Sequence, residues 1–169
     1  MNTLIKTLDS TKIKVGLFGV LLAILVIVPA FVHIQWLTGP MVNAVLIITA
    51  VLIGPMEAVM LGLMPSTVAL STGLLPIALA PMVPFIMLSN AILVAVFHYS
   101  RKKNYFLAVG VAAFLKFVFL HQAVSLIMTK FLPDKLTSKL AIMMSWPQFF
   151  TAVIGGIIAY ALLKGLKKV

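Results

Sequence analysis

The chain has 169 residues, of which 63% are hydrophobic and only 9% charged, and its formal net charge is +10. Because a soluble domain has roughly 25% charged residues, this composition excludes a water-soluble globular core and predicts an all-α integral membrane protein. There are no cysteines, which excludes disulfides, thiol catalysis and cysteine-ligated iron–sulfur clusters.

The first apolar segment covers residues 15–32. We expect it to remain as a membrane span and not to be removed as a signal peptide. It is longer than the usual apolar region of such a peptide, and no small-x-small cleavage site precedes its polar flank.

Five further apolar segments follow, and they predict one membrane domain over residues 1–169, a compact bundle of six transmembrane helices. Proline begins four of the six, where its missing N–H costs nothing. The second segment has about 14 residues and would be roughly 21 Å long, against about 30 Å for the hydrocarbon core. A re-entrant hairpin of the second and third segments therefore remains an alternative to six crossings. The predicted spans are residues 15–32, 40–53, 55–72, 84–99, 105–128 and 147–166.

The connection between the third and fourth segments is rich in proline. We expect Pro65 to kink the third span, with neighbouring hydroxyl groups satisfying the loosened carbonyls. Residues 74–83 form an apolar, proline-stiffened loop. Such a loop should pack down over the helices, either as a lid over an apolar pocket or as a rigid connector.

The basic residues predict the orientation of the spans. Three groups of three fall on one side: Lys6, Lys12, Lys14; Arg101, Lys102, Lys103; and Lys164, Lys167, Lys168. The other side has Lys130, Lys135 and Lys139. We expect the protein to lie in the plasma membrane. The positive-inside rule then predicts that both termini are in the cytoplasm. On the outer side, residues 133–144 are predicted to form a short interfacial helix before the last span.

Glu57 is the third residue of the third segment, and Gly54-Pro55 is the inner turn before it. A carboxylate there favours the positive end of the helix dipole. This structural role is the preferred interpretation, and ion coupling is the alternative.

Lys116 lies near the middle of the fifth span, about 17 Å of helix from either end. A lysine side chain cannot reach the interface from there, so we expect it to face the bundle interior, a cavity or a partner protein. It shares a face with Val109, Ala112, Ala113 and Ala123, which suits close packing. His121, Gln122, Ser125 and Thr129 lie on the other side of the helix and predict a water-accessible pocket.

Further amides and aromatic residues lie in the outer half of the predicted bundle, where they predict a binding pocket. They are Gln35 and Trp36 in the first outer loop, Asn43 in span two, Asn90 in span four, and Trp146 and Gln148 near span six. Bridging of helices is the alternative role for Asn90, and membrane anchoring is that of the tryptophans.

Enzymatic chemistry is not supported by the sequence, so we expect no enzyme, metal or cofactor. The three histidines lack metal-ligand spacing, and only Asp9, Glu57 and Asp134 are acidic. There is no phosphate-binding loop and no G-x-S-x-G motif. The basic residues cluster at span ends, which favours membrane topology over nucleic-acid binding.

The stretches WLTGPMVNAVLI at 36–47 and LGLMPSTVALSTGLLPIALAPMVPFIMLSNAILV at 61–94, with the spacing of the spans, resemble the substrate-binding (S) component of energy-coupling factor (ECF) vitamin importers. The resemblance covers nearly the whole chain. It implies a T component and two ATPase subunits as partners, and substrate capture in the outer half followed by toppling of the subunit.

Within this resemblance, Gly19-x-x-x-Ala23 corresponds to the small-residue docking face of the first helix. The implied substrate-binding residues are Gln35, Trp36, Asn43, Asn90, His121, Gln122, Trp146 and Gln148, with Lys116 as a counter-charge to an anionic group. The alternatives are an accessory or scaffold subunit of another membrane complex and a small stand-alone carrier or channel.

Overall fold

In the computed structural model, which describes residues 2–32, 34–131 and 142–169, the regular structure is helical. An α-helical chain satisfies its backbone hydrogen bonds internally, as a membrane requires. In chain order the helices are α1 Asn2–Phe31, α2 Gln35–Leu52, α3 Pro55–Gly62, α4 Met64–Ser71, a 3₁₀ segment Ile77–Met82, α5 Val83–Ser100, α6 Tyr105–Phe131 and α7 Trp146–Gly165.

Five helical segments in the described part of the chain are long and apolar enough to cross a membrane. They include α1, α2, α6, α7 and the continuous run formed by the 3₁₀ segment and α5. The predicted third span is instead two helices of eight residues each. Each is about 12 Å long, so neither crosses alone.

The second span is longer than predicted. The sequence places its start at Pro40, but α2 begins at Gln35 and has 18 residues, about 27 Å, which suits a full crossing. Its first turn is closed by the amides of Leu37 and Thr38, which both donate to the carbonyl of Ile34. Pro40 therefore lies inside a helix that has already formed, where it removes only one backbone donor.

The other predicted span limits differ less. The helices α5, α6 and α7 begin within one residue of the predicted positions, and α6 continues to Phe131. The helix α1 has 30 residues and starts at Asn2, well before the predicted residue 15. Of the predicted interfacial helix over residues 133–144, residues 133–141 lie outside the described residues.

The helix α2 lies at the centre of the bundle and packs most extensively against α7. All residues from Asn43 to Ala50 are buried, as expected of a membrane helix surrounded by other helices. Two adjacent glycines of α7 permit its close approach to α2 and to α6. A Cβ at Gly155 would lie 2.7 Å from the carbonyl oxygen of Pro40, and one at Gly156 would collide with Val109 of α6.

The break between α3 and α4 falls at Leu63, two residues before Pro65, which agrees with the predicted kink. The carbonyl of Gly62 accepts a hydrogen bond of 2.9 Å from Nδ2 of Asn90 on α5. The hydroxyl of Thr67 donates to the carbonyl of Met64 at 2.7 Å, as predicted for a hydroxyl near the kink. A neighbouring helix thus holds the broken segment in place.

The residues between α4 and α5 fold down onto the helices. Gly73 has φ of +81°, which favours glycine, and turns the chain after α4. Leu75, Leu79 and Met82 are buried against Leu120 of α6 and other apolar side chains. We call residues 73–83 the lid segment. The prediction that this apolar stretch packs over the helices is confirmed.

The helix α1 lies at the periphery, and only 17% of its most apolar part is buried. It packs mainly against α4 and α2. Gly19 and Ala23 are both exposed, and a Cβ at Gly19 would meet no atom within 4 Å. The small-residue pair predicted to dock a partner therefore lies on a surface that the described residues leave uncovered.

Candidate functional site

A cavity of about 110 Å³ lies between α2, α4, α5, α6 and the lid segment. Residues from the starts of α2 and α7 contribute, so it occupies the half of the bundle in which those helices begin. Most of its surface is apolar, with a few polar groups. Its lining comprises Pro29, Gln35, Thr38, Gly39, Val42, Asn43, Pro65, Ser66, Ala69, Leu74, Leu75, Ile86, Asn90, Lys116, Met143, Met144 and Gln148.

Lys116 is the charged residue of this cavity and is only 3% exposed. Its Nζ donates to Oδ1 of Asn43 at 2.7 Å and to Oδ1 of Asn90 at 2.8 Å. Each amide therefore presents its oxygen to the ammonium. Because an ammonium has three protons, one remains available to a molecule in the cavity.

Both asparagines are themselves held by the backbone. Nδ2 of Asn43 donates to the carbonyl of Gly39, one turn earlier in α2, at 2.9 Å. Nδ2 of Asn90 donates to Gly62 at the break between α3 and α4. The network joins α2, α3, α5 and α6, so the position of the Lys116 ammonium is fixed by three other helices.

Among the residues that the structure describes, no carboxylate lines the Lys116 cavity. Glu57, the one acidic residue whose side chain the structure describes, folds back over Gly54 at the start of α3. Its place in the first turn fits the predicted structural role. A buried cation is costly unless it is paired, and two neutral amides neutralise none of its charge. The cavity is therefore chemically suited to an anionic group.

Ser66 adds a second polar group to the cavity wall. Its hydroxyl is buried, lies beside the break that precedes Pro65, and has no hydrogen-bond partner. The sequence predicts that the hydroxyls near Pro65 satisfy backbone carbonyls, and Ser66 does not do so. A buried hydroxyl without a partner costs free energy that a bound polar molecule would recover.

Gln35 and Gln148 lie in the first turns of α2 and α7. Nε2 of Gln35 donates to the carbonyl of Met143 at 3.0 Å, and Nε2 of Gln148 donates to the same carbonyl at 3.3 Å. Met143 and Met144 both line the cavity. The two glutamines thus tie the residues before α7 to one end of the cavity.

Five of the nine predicted site residues line the cavity, and the structure places the other four elsewhere. Trp36 and Trp146 are each more than half exposed, and Trp146 stacks on Phe117 with ring centroids 4.6 Å apart. His121 and Gln122 are also exposed. His121 and Gln122 therefore point away from the cavity, because the alanine-rich face with Lys116 is the face of α6 that packs inward.

Sequence reasoning missed several residues that shape the cavity. The sequence predicts a backbone role for the hydroxyl of Ser66, and it starts the second span at Pro40, after Thr38 and Gly39. It predicts Leu74 and Leu75 only as part of an apolar loop over the helices, although both line the cavity. The proline-rich break at Pro65 was the available signal, since irregular backbone at membrane depth occurs where it lines a cavity.

The size and composition of the cavity limit its contents. Sites for small molecules usually enclose about 300–1,000 Å³. The volume of this cavity is therefore too small for a vitamin-sized ligand. Among the described residues, no group of three or more His, Asp or Glu side chains could hold a metal ion.

No family model, curated protein or solved structure matches this chain.

Proposed function

We propose that the chain is a membrane-embedded binding subunit that captures a small molecule through an anionic group. The observation that supports this most is the buried Lys116 ammonium, which lines a cavity and is held by two amides, with no carboxylate among the described residues of the lining. An anionic ligand would supply the missing counter-charge, and its binding energy would benefit from the low dielectric around it.

Recognition in this proposal uses two polar groups and an apolar wall. Lys116 binds a carboxylate or similar anion, and the hydroxyl of Ser66 forms a further hydrogen bond. Val42, Ile86 and Leu75 supply apolar surface for the rest of the molecule. A few placed polar groups in an apolar pocket are typical of small-molecule sites.

Entry of the ligand requires the lid segment to move. The cavity of about 110 Å³ is too small for a vitamin-sized molecule, and Leu74 and Leu75 form part of its wall. Few polar contacts hold these leucines, although the amide of Leu75 donates to the carbonyl of Ala69 at 2.8 Å. Outward movement of the lid segment would enlarge the cavity while α2, α5 and α6 keep Lys116 in position.

We further propose that this subunit is the S component of an ECF-type importer, working with a T component and two ATPase subunits. The sequence resemblance supports this assignment, as do the cavity and the exposed Gly19-x-x-x-Ala23 face of α1. In this proposal the basic end of the bundle and both termini face the cytoplasm, and toppling of the subunit delivers the ligand there.

The alternatives are less well supported by the position of Lys116. An accessory subunit would be expected to direct this lysine at a partner helix, yet its Nζ is bonded within the bundle. A stand-alone channel would be expected to have a chain of ionisable groups along a path. Among the described residues, the lining of the Lys116 cavity contains a single charged residue.

Native mass spectrometry of the gently extracted protein tests the proposal. We expect a copurified anionic molecule of vitamin size, and preference for carboxylate vitamins over their neutral amides when both are added. Lys116→Met should lower this affinity at least tenfold. Asn43→Asp should do the same, because it places a carboxylate where the amide oxygen now accepts from Lys116.

The matched control for the second variant is Gln122→Glu, which adds the same charge on the exposed side of α6. It should leave binding unchanged. Equal binding of the carboxylates and their amides, or unchanged affinity in both cavity variants, would contradict the proposal.

A further inference from the structure

A second cavity, of about 460 Å³, lies at the opposite end of the bundle from the Lys116 cavity. It is formed by the turn between α5 and α6 and by the residues after α7. Its lining includes four cationic side chains, Arg101, Lys102, Lys103 and Lys168, beside the rings of Phe106 and Tyr160. We call it the basic cavity.

Within the described part of the chain, no acidic side chain in the lining of the basic cavity balances its charges. In addition, Nε of Arg101 is buried and has no hydrogen-bond partner. A guanidinium with an unused buried donor is suited to a phosphate oxygen, which can accept several such bonds.

The wall of the basic cavity is not uniformly polar. Phe106 is 53% exposed, and its ring centroid lies 4.6 Å from that of Tyr160. These rings lie where α5 ends, α6 begins and α7 approaches its last turn, which is the boundary between spans and turn. Cations beside exposed aromatic rings at this level suit a molecule with a charged head and an apolar tail.

The backbone around the basic cavity is held by specific hydrogen bonds. The amide of Leu107 donates to Oδ1 of Asn104 at 3.0 Å, which caps α6, and the hydroxyl of Tyr105 donates to the carbonyl of Gly156 at 2.9 Å. The second bond connects α6 to α7. The cations on the turn therefore keep their position relative to the residues after α7.

From these observations we propose that the basic cavity binds the phosphate group of an anionic phospholipid, with the acyl chains passing along Phe106 and Tyr160. A free phosphate would make the same contacts with Arg101 and the lysines but would gain nothing from the rings. This proposal does not depend on what the Lys116 cavity binds.

The test is native mass spectrometry of the full chain in micelles that contain equal amounts of phosphatidylglycerol and phosphatidylcholine. We expect retained phosphatidylglycerol on the unmodified protein, with retention falling as salt is raised. Lys102→Gln with Lys103→Gln should weaken it about 25-fold, since each basic residue near a membrane surface contributes roughly fivefold.

The matched control is Lys12→Gln with Lys14→Gln, which removes two exposed charges from α1 outside the basic cavity. This variant should keep its phosphatidylglycerol. Lys102→Arg with Lys103→Arg should also keep it, which separates loss of charge from loss of folding.

Three results would overturn the proposal. Equal retention of the two lipids would show that the basic cavity does not recognise the negative charge of the lipid. Equal loss in the α1 control would show diffuse attraction with no site. Binding of millimolar inorganic phosphate that displaces the lipid completely would show that free phosphate is the ligand.

Discussion

The Lys116 ammonium has two amide oxygens as acceptors, and each amide is bonded in turn to a backbone carbonyl. This arrangement explains how a lysine can lie near the middle of a membrane helix without reaching the interface. The amides accept two of its three protons, but they do not neutralise its charge, and they leave the third proton unused. The same residues therefore hold the fold together and define the anion-binding hypothesis.

We expect Asn90→Leu to reduce the free energy of unfolding by about 1–3 kcal/mol. An average hydrogen bond between membrane helices contributes only about 0.6 kcal/mol. The larger value follows because the change leaves both the Gly62 carbonyl and one proton of a buried cation without a partner. Unfolding in mixed micelles by increasing denaturing detergent would measure the difference.

Gln122→Leu is the control for this measurement, because Gln122 is exposed on α6. A surface substitution of this kind should change stability by no more than about 0.5 kcal/mol. Equal stability of the two variants would mean that the Asn90 bonds contribute nothing measurable.

Among the described secondary-structure elements, α2 and α7 pack most extensively against each other, and glycine lets them approach closely. A Cβ at Gly155 would lie 2.7 Å from the carbonyl oxygen of Pro40, 2.7 Å from Cβ of Asn43 and 2.9 Å from the amide nitrogen of Ala44. Two of these atoms are backbone, which cannot move without shifting α2. The contact thus couples the packing of α7 to the residue that holds Lys116.

Gly155→Ala should destabilise the protein by about 1–3 kcal/mol, the usual cost of overpacking a well-packed core. It should also weaken ligand binding, since α2 can relieve the contact only by carrying Asn43 away from Lys116. Thermal unfolding and ligand titration of the same preparation would measure both effects.

The comparison for this prediction is Gly110→Ala in α6, where an added Cβ meets nothing within 4 Å. There alanine should be neutral or stabilise by up to about 1 kcal/mol, because it favours the helix over the unfolded chain. If Gly155→Ala behaved in the same way, the two helices would not be as close as the structure places them.

At the scale of the whole molecule, the two ends of the bundle differ in charge and in cavity chemistry. One end has a mainly apolar cavity under the lid segment, and the other has the cationic side chains around the basic cavity. Between them α1 exposes Gly19 and Ala23 on a face that no described residue covers. In the importer proposal this face docks the T component.

Gly19→Leu with Ala23→Leu should therefore abolish copurification with co-expressed T component and ATPases, because the leucines prevent close approach of a partner helix. Ligand binding by the isolated subunit should persist, since neither residue lines the Lys116 cavity. Affinity capture of the complex, followed by ligand titration of the free subunit, measures both properties.

Ala161→Leu is the control, since Ala161 is an exposed small residue on a different helix. It should leave the complex intact. A complex that survives the α1 double variant would remove Gly19 and Ala23 from the docking surface and would leave the anion-binding hypothesis untouched.

Local sequence signals determined the helical membrane class and most helix starts. Composition and apolar runs sufficed because a membrane admits few alternatives to the helix. The prolines correctly predicted the starts of α3, α5 and α7. The start predicted at Pro40 was wrong, because α2 begins five residues earlier and accommodates this proline. The sequence also predicted that Lys116 faces the bundle interior, a cavity or a partner protein, since its distance from either end of the span does not depend on packing.

Only the tertiary structure decided which polar residues meet. The angular positions on α6 separated Lys116 from His121 and Gln122, yet they did not say which face packs inward. The face that packs inward depends on the neighbouring helices. It is the alanine-rich face, because small side chains allow helices to approach closely. The same packing brings Asn43, Asn90 and Ser66 to one cavity from α2, α5 and α4. Their positions in the sequence do not predict these contacts, because contacts between helices depend on the arrangement of the whole bundle.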